Sequence, residues 1–210
     1  MHEMKTIILA SASPRRKEIM EKTGLLFRVD ASGYDEDMVS GLSPGALARR
    51  LSYQKAGAVA ARHKKAIIIA ADTFIVFKGR IFGKPHTAAE AKRMLMTLNG
   101  RKHSVITGFT IMDAGTKKRL TRSVETKVYF KKMTSGEIAA YVRSGEPLDK
   151  AGGYAIQGLG AALIRKIEGD FYNVMGLPLS DLAEGLKKFG IHVLKQRERS
   201  GTNKFNGKAK

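Results

Sequence analysis

The stretch AIIIAADTFIVFKGRIF, residues 66–82, opens on six apolar residues, Ala66 to Ala71, and then meets a carboxylate at Asp72. A short, unbroken apolar run rich in isoleucine reads as a buried strand ending at Ala71. Phe74 to Phe77 and Arg80 to Phe82, parted by Lys78-Gly79, read as a hairpin. Upstream, Met4 to Ala10 is another buried strand, Pro14 to Thr23 a helix closed by Gly24, and Ser43-Pro44 opens a helix to about His63. Downstream, Thr87-Ala-Ala-Glu90 and Thr134-Ser-Gly-Glu137 are capping-box patterns, each opening a helix. Ser104 to Met112, Leu120 to Phe130 and Ala161 to Ile167 are strand candidates, and Leu177-Pro178 starts a last helix that stops at Gly190. Strand–helix alternation at the front with paired long strands in the middle predicts an α/β fold with a mixed sheet and flanking helices.

The chain has 210 residues, 43% hydrophobic and 27% charged, a composition expected of one folded, soluble domain over residues 1–194. Residues 195–210, with Lys195, Arg197, Arg199, Lys204, Lys208 and Lys210 against Glu198, read as a basic, disordered tail. Absence of cysteine excludes disulfides, thiolate nucleophiles and cysteine-based metal sites. No apolar run approaches the roughly 20 residues of a membrane span, and the N-terminal apolar segment is too short for a signal peptide, so no membrane partner and a cytoplasmic location are expected. The formal charge of +19 raises nucleic acid as a partner. Aromatics are only 7%, tryptophan is absent and the basic residues are spread through every element, which argues against a specific nucleic-acid surface.

Four segments can carry chemistry. Ser11-Ala-Ser13-Pro14-Arg15-Arg16 follows a strand and begins a helix, where free N–H groups, a positive dipole end, two hydroxyls and two arginines make a phosphate socket. Its alternative is a capped surface helix. Asp72 follows a buried strand, where α/β sheets place ligands, and can bind a metal or orient water; a strand-end turn is the alternative. Lys84, in Gly83-Lys84-Pro85, is a point cation suited to a phosphate oxygen. The acidic loop Asp35-Glu36-Asp37 offers further oxygen ligands for a hard divalent ion, or is a solvated turn. Gly41-Leu-Ser43-Pro-Gly45 spells a serine-hydrolase elbow but lacks the preceding strand, and Ser43 reads as a helix cap. The five histidines show no metal-ligand spacing.

Taken in order, SASPRRKEIM (11–20), AADTFIVFKGRIFGKPHTAAEAKRML (70–95), LNGRKHSVITG (98–108) and EPLDKAGGYAIQGLGAALIRKIEGDFYNVMGLPL (146–179) closely resemble the Maf family of nucleoside triphosphate pyrophosphatases, from about residue 6 to residue 192. The resemblance implies two lobes around a cleft, shared in outline with inosine triphosphate pyrophosphatases, and a homodimer. It implies hydrolysis of a nucleoside triphosphate to monophosphate and pyrophosphate with a divalent metal, magnesium or manganese. By motif position it makes Asp72 the catalytic aspartate and a metal ligand, and Glu36 a second ligand. Ser13, Arg15, Arg16, Lys55 and Lys84 become substrate-binding residues. The segment Lys150-Ala-Gly-Gly-Tyr-Ala-Ile-Gln157-Gly is similar to the dTTP/UTP branch, with Arg15, Thr73 and Gln157 on positions linked to that selectivity and modified pyrimidine triphosphates within range. Ala155 departs from the more usual glycine, and its methyl narrows the pocket. Pyrophosphohydrolysis of another modified nucleotide such as 7-methyl-GTP, and a non-catalytic nucleic-acid-binding or division-regulating role, remain the alternatives.

Overall fold

The computed structural model describes residues 5–34 and 41–196. Along these run β1 (Thr6–Leu9), α1 (Pro14–Lys22), β2 (Phe27–Val29), α2 (Pro44–Ala60), β3 (Ala66–Phe77), β4 (Arg80–Phe82), α3 (Ala88–Leu98), β5 (Lys102–Asp113), β6 (Arg119–Phe130) and α4 (Ser135–Arg143). Three 3₁₀ turns follow, Glu146–Asp149, Ala151–Gly153 and Gly158–Leu163, and then β7 (Ile164–Glu168), α5 (Phe171–Met175), α6 (Leu179–Lys187) and α7 (Val193–Gln196). The strands form one seven-stranded mixed sheet in the order β2-β1-β3-β5-β6-β7, with β4 paired to β3. This is the expected mixed α/β sheet with helices on its faces.

β3 organises the molecule. Its side chains alternate between faces. Ile68 and Ala70 pack with Ala56, Val59 and Ala60 of α2, and Phe74 with Leu47, Ala48 and Leu51 of the same helix. Ile67, Ile69 and Ala71 face the opposite core with Ile19, Met20, Leu182 and Leu186. Ile75, also on that opposite face, belongs to a further core with Leu95, Leu98, Ile138 and Tyr141. The two halves therefore share one sheet, and the boundary between their cores falls at Thr73. α2 presses on the sheet closely: a Cβ on Gly108 of β5 would lie 2.1 Å from the Ala48 carbonyl oxygen.

Four sequence expectations are corrected. The strand expected to end at Ala71 continues through Asp72 to Phe77, because β5 pairs antiparallel with it from Ile67 to Val76 and so satisfies its backbone past the apolar run. The strand expected at Ala161 begins at Ile164; Gly158–Leu163 instead coils in 3₁₀ turns, where a Cβ on Gly160 would lie 2.4 Å from the Ala155 carbonyl oxygen. α6 opens at Leu179, after the short α5 that the sequence reading omitted, and β2 was likewise unread. Lys195, placed in the expected tail, belongs to α7, whose Val193 packs on the core. The Lys78-Gly79 hairpin forms as expected, both turn residues at positive φ. Among the described residues no helix is long and apolar enough to cross a membrane.

Candidate functional site

The parallel pairing of β1 with β3 ends at Leu9 and Ile69, and the pairing of β4 with the same edge begins at Ile75. Between them the Ala70–Phe74 edge of β3 has no strand partner among the described residues, a gap of about 20 Å from Ile69 to Ile75 at the usual rise per residue. The chain leaving β1 turns here into α1. Pro14 takes the first helical position, and Ser13 stands at the cap with extended backbone; its hydroxyl makes no capping bond, so the amide ends of α1 are not closed by it.

A cavity opens beside this helix start. Its lining includes Ser13, Arg15, Arg16 and Lys84. Arg16 is held from three sides: its Nε donates to the Gly176 carbonyl at 2.8 Å, Nη1 to Ser11 Oγ at 3.1 Å and Nη2 to Thr73 Oγ1 at 3.1 Å. Thr73 Oγ1 lies 3.0 Å from Thr107 Oγ1, which donates to the Asn173 carbonyl at 2.9 Å. Gly176, at φ +115, lets the α5 exit approach this guanidinium; a Cβ there would sit 3.4 Å from Arg16 Nε. Asp149, Lys150, Tyr154, Ala155 and Ile156 also line it, and Lys150 is buried, donating to the Glu146 carbonyl at 2.7 Å and paired with the Asp149 carboxylate. Tyr154 hydrogen-bonds His103 at 2.7 Å, and burial lowers the His103 pKa to about 4, so the ring is neutral.

Asp72 lies on the other face of β3, buried beneath α2, where Lys55 Nζ donates to Asp72 Oδ1. Lys55 is itself buried. The residues read from the sequence thus divide: Ser13, Arg15, Arg16, Thr73 and Lys84 share the cavity, whereas Asp72 and Lys55 form a pair across the sheet edge from it. Gln157 is not a lining residue; one position past Ile156, its Nε2 points to Glu18 Oε1 on α1 at 3.5 Å. Glu36 lies outside the described residues. Ser43 is a helix cap, its Oγ accepting from Ala46 N, as read.

The sequence reading missed Lys150, Asp149, Thr107 and the α5 turn that fixes Arg16. One signal for α5 was present, since Asp170 caps the helix through the Tyr172 and Asn173 amides and Gly176 ends it. Thr107 carries no such mark, because its contact with Thr73 depends on strand register alone.

Comparison with known proteins agrees with this architecture. The family model described as Maf-like protein matches residues 6–189. The dTTP/UTP pyrophosphatase of Pelotomaculum thermopropionicum is 47% identical over 191 residues, 91% of this chain and 100% of its own length. Proteins of the same name from Methanosarcina barkeri and Methanococcoides burtonii are 45% and 48% identical, over 92% and 90% of this chain and 98% of each relative. Among solved structures, the Staphylococcus aureus Ham1 protein aligns at a TM-score of 0.45 and 14% identity, over 76% of this chain and 80% of that one, too distant to carry an argument. With the strand-to-helix turn at Ser11–Arg16, the carboxylate on β3 and the Gly-rich wall all in place, and matched along nearly the whole chain, the protein belongs to the Maf family.

Proposed function

We propose that this chain is a pyrophosphatase that hydrolyses dTTP and UTP, with modified pyrimidine triphosphates in range, to the nucleoside monophosphate and pyrophosphate. The observation that carries it is the gathering of Ser13, Arg15, Arg16 and Lys84 at the start of α1, in a cavity that meets the unpaired edge of β3 beside Asp72. Three cations and a helix start offset a triphosphate and the charge that builds on the leaving pyrophosphate. The names of the relatives support the base.

In this reading the triphosphate lies against Arg15, Arg16 and Lys84 and reaches over the β3 edge toward Asp72. Water attacks the α-phosphorus, the bond to the bridging oxygen breaks and pyrophosphate leaves. Asp72 takes the water's proton or holds the metal, and Lys55, donating to Oδ1, keeps that carboxylate aimed. A single buried carboxylate beside phosphate-binding cations suits magnesium or manganese, which bind through one or two carboxylates plus substrate phosphates. Asp72, with Glu36 as second ligand, would hold it; a metal so held polarises the attacked phosphoryl group. Gln157 carries a donor and an acceptor suited to the imide edge of uracil or thymine, and meets a base there by turning from Glu18 toward the cavity next to Ile156. We further read the protein as a cytoplasmic homodimer without specific affinity for nucleic acid.

Incubation with dTTP or UTP and magnesium should yield monophosphate and pyrophosphate in equal amounts. Orthophosphate with a diphosphate would overturn the reaction.

A further inference from the structure

Part of the cavity lining comes from the 3₁₀ turns Glu146–Asp149 and Ala151–Gly153, with Lys150 between them, and from residues 154–156. One residue joins their supports. The Glu146 carboxylate accepts from Tyr141 Oη at 2.8 Å and from the Gly160 amide at 2.9 Å through Oε1, and from the Leu159 amide at 3.1 Å through Oε2. Tyr141 Oη in turn accepts from the Ala155 amide at 3.2 Å, and the Glu146 carbonyl accepts from Lys150 Nζ. Burial and the bond to Glu146 raise the Tyr141 pKa, keeping the phenol a donor. The neighbouring glycines have the shape this knot requires: a Cβ on Gly158 would lie 2.6 Å from Glu146 Oε2, and one on Gly160 would lie 2.6 Å from Tyr141 Oη.

We propose that Glu146 is a positioning residue for nucleoside discrimination: its carboxylate, through the Tyr141 hydroxyl that holds Ala155 and through the Leu159 and Gly160 amides, fixes the 154–160 stretch beside Lys150 at the spacing that the nucleoside meets. The proposal rests on reading this cavity as the nucleoside triphosphate site. Three donors converge on Glu146, so the position requires an acceptor on both arms. Glutamine turns one arm into a donor, which then faces a backbone N–H, that of Gly160 on one arm or of Leu159 on the other, and leaves it without an acceptor. This part of the lining then loosens while Arg15, Arg16, Lys84 and Asp72, which Glu146 does not touch, keep their places.

The test is steady-state kinetics of Glu146→Gln and Tyr141→Phe on dTTP, UTP, dATP and dGTP, with folding followed by circular dichroism. Tyr141→Phe keeps the ring and removes only the hydroxyl, so it decides the question should Glu146→Gln not fold. The expected result is a KM for the preferred nucleotide raised about tenfold, the scale of one charge-assisted hydrogen bond. The kcat stays within about threefold, and the ratio of kcat/KM between preferred and other bases falls by a similar factor. Unchanged KM and ratio would overturn the proposal, as would an equal loss on every nucleotide, which marks a purely structural role. A wild type that prefers a purine would overturn the pyrimidine reading instead; the ratio for its preferred base still judges Glu146.

Discussion

Asp72 and Thr73 are adjacent in sequence and face opposite sides of β3, one toward Lys55 beneath α2 and the other toward Arg16 in the cavity. One short strand segment thus carries a carboxylate paired with a buried ammonium on one face and a hydroxyl holding a guanidinium on the other. Asp72→Asn keeps an oxygen that can accept from Lys55, so the fold should persist by circular dichroism. Turnover of dTTP should fall about 10²–10⁴-fold, the range for loss of a general base; an equally fast variant would show that Asp72 has another role. His103 gives a separate, pH-dependent prediction. Burial lowers its folded pKa to about 4, whereas an unfolded histidine titrates near 6.5. Between those values the unfolded chain binds a proton that the folded one refuses, so its contribution to stability is complete above about pH 6.5 and lost as pH falls toward 4. The full loss is about 3 kcal/mol. Melting temperature followed against pH should fall less steeply in His103→Gln than in the wild type, and parallel curves would refute the assignment.

At the scale of elements, the site exists because β3 is longer than either neighbour on its open edge. β1 stops at Leu9, β4 starts its pairing at Ile75, and the helix start of α1 fills the interval. Capping and turn chemistry made the helix starts readable: Thr134 and Glu137 close a full capping box, while Glu90 reaches past its cap to the His86 amide. Periodicity misled at Asp72, where a polar residue within a continuing strand resembled a strand end. The α2 layer provides an element-scale test. Gly108→Ala places a methyl 2.1 Å from the backbone of Ala48, so helix and sheet must part, at a cost of about 1–3 kcal/mol. A melting temperature lower by roughly 2–12 °C is expected for a chain of this size, with a matching loss of kcat because α2 carries Lys55. A variant as stable as the wild type would show that α2 can shift freely.

For the whole molecule, 38 basic residues against 19 acidic ones suggested a polyanionic partner at the outset. Arg15, Arg16 and Lys84 now have a place in the cavity and Lys55 a place against Asp72. Deleting residues 197–210, polar or small apart from Phe205, should change the melting temperature by no more than about 2 °C, the scale of a change in polar sequence outside a core. It should leave kcat/KM at about 0.15 M salt within roughly twofold, since screening mutes distant charges; a larger loss on either measure would give those residues a part in the folded enzyme. By itself the sequence determined the α/β class, the strand-to-helix turn at Ser11–Arg16 and the family, because caps, apolar runs and motif spacing are local properties of the chain. Only the tertiary structure decided that Asp72 and Thr73 work from opposite faces of one strand, that Gln157 reaches toward Glu18 rather than lining the cavity, and that Glu146 and Tyr141 tie part of the cavity lining together. Those relations depend on strand register and on backbone approaches between segments far apart in sequence, which no local pattern encodes.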